Sequence, residues 1–213
     1  MACRRLTNFF TCRCRLHANV CAHRWQSPDR ARLVAEQSLG WYFSLMPIPI
    51  TLAAALATLN LDPPCFEHPP LRTVEDAHVH WDKLVGAQVK NLFFKDAGGQ
   101  LWLVVVPGDP RMDTKAMAAL IGSRRLSFGN ADLLREVLGV EPGAVTPLGV
   151  MNDTARRVRT VLHAGLMDEA QLLVHPLVNT ATVQIAPADL RHFMTTHHTE
   201  PALIDLSRAF MDT

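Results

Sequence analysis

The stretch Val89–Val106 constrains this chain more than any other part of it. It reads as two β-strands joined by Asp96-Ala97-Gly98-Gly99, residues that tolerate the positive φ of a tight hairpin turn. The runs Leu92-Phe93-Phe94 and Leu103 to Val106 leave neither strand a polar face, so other elements must cover both faces of the sheet. Alternation sends Lys90, Leu92 and Phe94 one way, and Asn91, Phe93 and Lys95 the other. Lys90, at the start of such a strand, is either a snorkelling edge residue or a cation facing a cavity.

Signals on either side of the hairpin predict short helices and strands in irregular order. Ile50–Leu61 carries Leu52, Ala53, Leu56 and Leu59 at helical spacing, and Asp62-Pro63-Pro64 stops it. Phe66–Pro70 is extended, and Thr73–Ala77 has the form of a helix start. Asp113 or Thr114 opens a helix that ends at Gly122. Asn130 caps a helix over Ala131–Leu138, closed by Gly139. Arg124–Phe128 is a short strand or loop. Val140–Val150 is a Gly/Pro-rich loop, and strands are predicted over Val158–Leu162, Gln171–Val174 and Thr180–Ile185. A helix follows over Ala188–Thr195, with Pro187 in its first turn, and a last amphipathic helix over Ala202–Phe210. Strands and helices mix without βαβ alternation. The expected fold is therefore α+β with a mixed or barrel-like sheet.

Charge divides the chain. Residues 1–45 hold seven Arg, no Lys and two acids, whereas 46–213 hold 14 basic and 18 acidic residues. The body is thus no general polyanion binder, and any nucleic-acid contact there needs a local patch. Cysteines divide the same way: Cys3, Cys12, Cys14 and Cys21 lie in the extension and Cys65 alone in the body, which fits a reducing compartment. The early cysteines lack the usual zinc-ligand spacing. Residues 1–45 read as a disordered or non-native start, with a targeting presequence or a basic RNA-binding arm as alternatives. No apolar run reaches the roughly 18–20 residues that span a bilayer.

The body contains no G-x-S-x-G, P-loop, H-E-x-x-H or Cys-x-x-Cys pattern, so the best-marked nucleophile, phosphate and metal designs are missing. What remains is Lys90, the loop Gly143–Gly149, His175 before Pro176, and His68 before Pro69. A Gly-rich loop offers N–H groups to an anion or serves as a plain connection. His175 closes the run Leu172-Leu173-Val174 as a site residue or a hydrogen-bonded core histidine. His68, followed by two prolines, is a site residue or only caps a turn.

In combination these pieces are specific. Glu67-His68-Pro69-Pro70, Lys90-Asn91-Leu92-Phe93-Phe94-Lys95-Asp96, Arg125-Leu126-Ser127-Phe128, Pro142–Gly149 with Asn152-Asp153, and His175-Pro176-Leu177-Val178-Asn179-Thr180-Ala181-Thr182 follow one another. The body, from about Met46 to Phe210, thereby resembles the YbaK/prolyl-tRNA-synthetase-associated editing domain family, in particular its free-standing members that clear alanine from proline tRNA. His163-Ala164 departs from that pattern, where an acidic residue is common.

The resemblance implies a cytoplasmic aminoacyl-tRNA deacylase with its editing domain over 46–213 and no cofactor or metal. Lys90, His175 and Gly149 are the implied catalytic residues. His68, Asn91, Gly143, Thr146, Pro147 and Asn179 are the implied substrate-binding residues. The implied partners are the acceptor end of mischarged proline tRNA and prolyl-tRNA synthetase, with neither membrane nor DNA. A deacylase for cysteine or serine on tRNA, and a non-catalytic RNA-binding module of the same fold, remain the alternative readings.

Overall fold

The computed structural model describes residues 48–70 and 84–211. The expected extension over 1–45 and the helix start at Thr73–Ala77 lie outside the described residues. The hairpin forms as β2 (Ala87–Asp96) and β3 (Leu101–Pro107), paired antiparallel with Lys90 opposite Val106 and Phe94 opposite Trp102. Asp96 ties its turn: Oδ1 accepts the N–H groups of Gly98 and Gln100, and Oδ2 accepts Trp102 Nε1 at 3.2 Å. Burial opposes its charge, but these donors hold its carboxyl below the usual range.

The remaining strands are β1 (Cys65–Glu67), β4 (Arg111–Met112), β5 (Leu126–Phe128), β6 (Val158–His163), β7 (Leu172–Val174), β8 (Ala181–Ile185), β9 (Ala202–Ile204) and β10 (Phe210–Met211). The main sheet runs β1-β8-β7-β2-β3-β6-β9, with β5 added beside β2 and a separate β4–β10 pair. Pairs β2–β7, β3–β6 and β6–β9 are parallel and the others antiparallel, so the sheet is mixed, as the irregular order of elements requires.

Among the described residues, four α-helices accompany it: α1 (Ile50–Thr58), α2 (Thr114–Ile121), α3 (Ala131–Leu138) and α4 (Pro187–His197). Asp113 caps α2 by accepting the Lys115 and Ala116 N–H groups, and Asn130 caps α3 by accepting that of Leu133. Both faces of the hairpin are covered, as its unbroken apolar runs demand. Phe93, Leu103 and Val105 pack in one core with Leu52 and Leu56 of α1, Val137 and Leu138 of α3, and Leu190 and Phe193 of α4. Phe94, Trp102, Val104 and Val106 pack in a second core with Met117 and Ile121 of α2. Each such side chain contributes about 1.5–3 kcal/mol on full burial, so neither face can turn to water.

One expected element is corrected. Residues 202–210 do not form a helix: β9 is followed by a 3-10 turn (Ser207–Ala209) and β10. Nine residues make a marginal helix by themselves. Here β9 instead takes the open edge of β6, the Leu206 N–H donates to His163 Nδ1, and Leu206 and Ala209 fill the second core.

The central strand is forked. On one side β2 pairs with β7 only at Ala87 and Gln88, and with β5 only at Phe94 to Asp96. Between them, residues 89–93 have no strand partner on that side among the described residues. The polar pair Lys90-Asn91 sits in this gap.

Candidate active site at the fork

Sheet register brings distant residues together here. Gln88 pairs with Leu173 in parallel, where that ladder ends, and alternation along each strand gives Lys90 and His175 the same sheet face. Val174 pairs with Val183, so one residue further His175 falls opposite Thr182. On the other side of β8, Thr182 pairs with Phe66 of β1, and His68 follows on the same face.

His175 lies against a carbonyl that can only accept, so its Nδ1–H donates to Ala181 O at 3.1 Å. Nε2 is then left with a bare lone pair, and it has no partner among the described residues. Burial lowers the pKa of the ring, the Ala181 carbonyl works against this, and His68 adds to the lowering, so His175 stays neutral. By the same reasoning His68 Nδ1–H donates to Pro69 O at 2.9 Å, and its Nε2 accepts the Thr182 hydroxyl at 2.9 Å. The two imidazole rings are 6.2 Å apart and tilted by 55°. Sequence reasoning missed Thr182; the polar alternation Thr180, Thr182, Gln184 within an apolar strand was its only signal.

Lys90 reaches the turn after β3, where Nζ donates to Pro110 O at 3.3 Å and Asp109 O at 3.4 Å. Both contacts are longer than a usual hydrogen bond, so the ammonium is loosely held. Asn91 turns to the other face, as alternation predicts. Its Nδ2 donates to Val145 O at 2.9 Å, and its Oδ1 is buried without a partner among the described residues.

The Gly/Pro loop and the segment after His175 lie against each other. A Cβ at Gly143 would sit 3.8 Å from Asn179 Nδ2, and Gly143 itself has φ +90°, a conformation that favours glycine. Thr146 opens a 3-10 helix (Pro147–Asn152) whose first residue, Pro147, is buried; the Thr146 hydroxyl accepts the Leu148 N–H at 3.3 Å. Gly149 does not face the site as an oxyanion donor. Its N–H donates to Thr146 O at 3.1 Å, and a Cβ there would meet Leu138 O at 3.2 Å. Close packing is what this glycine provides. The Ala144 N–H is likewise committed, to Glu141 O. Among the described residues, the N–H groups of Gly143 and Val145 meet no acceptor.

The residues singled out from sequence thus form two groups. Lys90, His175 and His68 share one face of the sheet, while Asn91, Gly143, Thr146, Pro147, Gly149 and Asn179 lie with the loop on the other. Lys90 and Asn91, consecutive on β2, carry one member of each group. None of them lines the cleft of about 400 Å³ at the far end of β2, which Lys95, Arg125, Ser127, Phe128 and Asn130 border. Cys65 is no candidate nucleophile, because burial and the nearby Glu67 push its thiol up to about 11. Among the described residues, no three His, Cys, Asp or Glu side chains gather as a metal site, and no helix is long and apolar enough to cross a membrane.

The profile of the aminoacyl-tRNA editing domain matches residues 68–193. The chain is 35% identical over 176 residues to prolyl-tRNA synthetase associated domain-containing protein 1 of Danio rerio, covering 80% of this chain and 96% of that protein. It is 38% identical over 138 residues to the prolyl-tRNA editing protein ProX of Acetoanaerobium sticklandii, covering 64% of this chain and 84% of that protein. A solved structure described as a candidate trans-editing enzyme for prolyl tRNA synthetase shares the fold. Its TM-score is 0.58 at 23% identity, over 75% of this chain and 94% of that one.

Proposed function

The chain belongs to the aminoacyl-tRNA editing domain family, and from that premise we propose that it is a trans-editing hydrolase that removes alanine from mischarged proline tRNA. One observation carries this reading: His175 donates its Nδ1–H to the Ala181 carbonyl, which leaves Nε2 bare to hold a water, and alternation along β2 sends the loosely held ammonium of Lys90 to the same sheet face. An aminoacyl ester is already activated. Its hydrolysis needs a placed water, a site for the developing oxyanion and a held substrate, but no protein nucleophile.

His175 Nε2 accepts a hydrogen bond from the water. The water oxygen attacks the ester carbonyl carbon, the bond to the ribose oxygen breaks, and that oxygen takes up the proton the water gives. Free amino acid and intact tRNA result. The ribose hydroxyl beside the ester helps to place the water, as the family resemblance implies. The Gly143 and Val145 N–H groups are the loop's candidate oxyanion donors, each worth about 3 kcal/mol when well aimed. Lys90 holds the terminal phosphate or ribose. Prolyl-tRNA synthetase is the partner whose errors such an enzyme would correct. A pocket built for proline rejects the smaller alanine weakly, because methylene-scale differences give only about 1–3 kcal/mol.

The test is to incubate the protein with proline tRNA charged with alanine, proline, cysteine or serine and to follow the loss of each ester. Selective loss of alanine supports the proposal. Selective loss of cysteine or serine redirects it to another small residue, and no turnover with retained tRNA binding favours the non-catalytic module.

A further inference from the structure

We infer that the turn Pro107-Gly108-Asp109-Pro110 is a carbonyl rest that aims the Lys90 ammonium, and that Gly108 is the residue that positions this rest. The inference builds on the proposed role of Lys90 in deacylation and adds to it the element that places its charge.

The turn begins where the hairpin ladder ends. Val89 pairs with Pro107, and one residue further the Gly108 N–H donates to Gln88 O at 2.8 Å. The two chains come this close because Gly108 has no side chain: a Cβ there would lie 3.0 Å from Gln88 Cβ and 3.3 Å from Gln88 O. Past the turn, Arg111 pairs with Met211 in the β4–β10 ladder, and the Asp113 N–H donates to Ala209 O at 2.8 Å. Asp109 and Pro110 are therefore strung between two anchored points. The pyrrolidine ring fixes φ at Pro110 and disfavours helical backbone at Asp109, so their carbonyls have little freedom to turn. Both accept from Lys90 Nζ, Pro110 O at 3.3 Å and Asp109 O at 3.4 Å. An ammonium has three N–H groups, and a carbonyl only accepts. Two N–H groups directed at the turn send the third away from it, toward a phosphate or ribose oxygen of the substrate. Carbonyls carry no net charge, so the charge of the ammonium stays available to such an anion. A methyl at Gly108 would lift the turn from Gln88 by a few tenths of an ångström. Because Arg111 is held in β4, that shift falls on Asp109 and Pro110 and moves the rest away from the ammonium.

The experiment measures single-turnover deacylation of alanine-charged proline tRNA by Gly108→Ala, Lys90→Ala and the double variant, with melting curves and the side-chain nitrogen NMR signal of Lys90 alongside. Gly108→Ala is expected to lower the rate constant roughly tenfold, within the hundredfold that a misplacement of about 1 Å can cost, and to move the Lys90 signal. In the Lys90→Ala background the same change is expected to alter the rate by less than about twofold, the tolerance of such a cycle. Pro110→Ala frees the carbonyls without adding bulk. It is expected to lower the rate in the same way, and again only when Lys90 is present. An unchanged rate in folded Gly108→Ala overturns the inference. So does a tenfold loss that persists in the Lys90→Ala background, because a turn that acts through Lys90 has nothing left to aim there. If Gly108→Ala does not melt cooperatively, Pro110→Ala decides by the same readings. If the unmodified protein hydrolyses no ester, the proposed function fails and the Lys90 signal decides the inference separately: a signal moved by Gly108→Ala upholds the rest, and an unmoved one overturns it.

Discussion

Replacing Lys90 by alanine separates a placed cation from a strand residue that only snorkels. In the structure its ammonium has two carbonyl contacts, at 3.3 and 3.4 Å, outside the usual range for a good N–H···O bond. Losing them costs under about 1 kcal/mol of stability, so the melting temperature should move by no more than about 4 °C. If the ammonium holds the tRNA end during ester cleavage, kcat/KM should fall by roughly tenfold to a hundredfold, about 1.4–2.7 kcal/mol of transition-state stabilisation. The assay is single-turnover deacylation of alanine-charged proline tRNA. Lys95→Ala is run beside it: Lys95 is on the same strand but the opposite face, at the far cleft. Its loss should be smaller. Equal losses from the two variants would mean that hairpin charge, not one placed ammonium, drives binding. No loss from Lys90→Ala would remove Lys90 from the site altogether.

Three further outcomes are expected. His175 has its pKa lowered in the folded state, chiefly by burial, so the unfolded chain binds its proton more readily. Its contribution to stability is complete above the ordinary histidine pKa of about 6.5 and is lost as pH falls through that value toward the folded one. Melting curves from pH 7.5 to 5 should therefore slope less steeply in His175→Gln than in the unmodified protein. Gly149→Ala forces a methyl against the Leu138 backbone and should cost about 1–3 kcal/mol, read as a lower melting temperature. Single-turnover deacylation well below that temperature should persist, and its outright loss there would return Gly149 to the catalytic groups. Removing residues 1–45 should leave both melting temperature and deacylation rate unchanged, because the match to the editing-domain family lies within residues 68–193. A drop in either would show that the extension belongs to the domain.

Much of this protein is legible in its sequence because the signals are local. The hairpin, its register faces and the need for cover on both sides follow from alternation and from Asp96-Ala97-Gly98-Gly99. The caps Asp113 and Asn130 are stereochemical requirements of single helix ends. Lys90, His175 and the Gly143–Gly149 loop could be marked as candidates because polar or glycine residues interrupt apolar runs. Residues 202–210 misled for the complementary reason: their helical period is real, but the open edge of β6 and the His163 ring satisfy their backbone better than a nine-residue helix does.

Other features depend on which strands become neighbours, and only the tertiary structure decides that. The fork in β2 exists because β7 and β5 take opposite ends of one side of the strand. The place of Thr182 under His68 depends on β1 pairing with a strand 114 positions away in sequence. The close packing at Gly149 arises because its N–H turns back to Thr146 O and a Cβ there would meet Leu138 O. A sequence specifies which residues can donate, accept or turn. Which partner each one meets is fixed only when strands far apart along the chain are set 4.7–4.9 Å apart in a sheet.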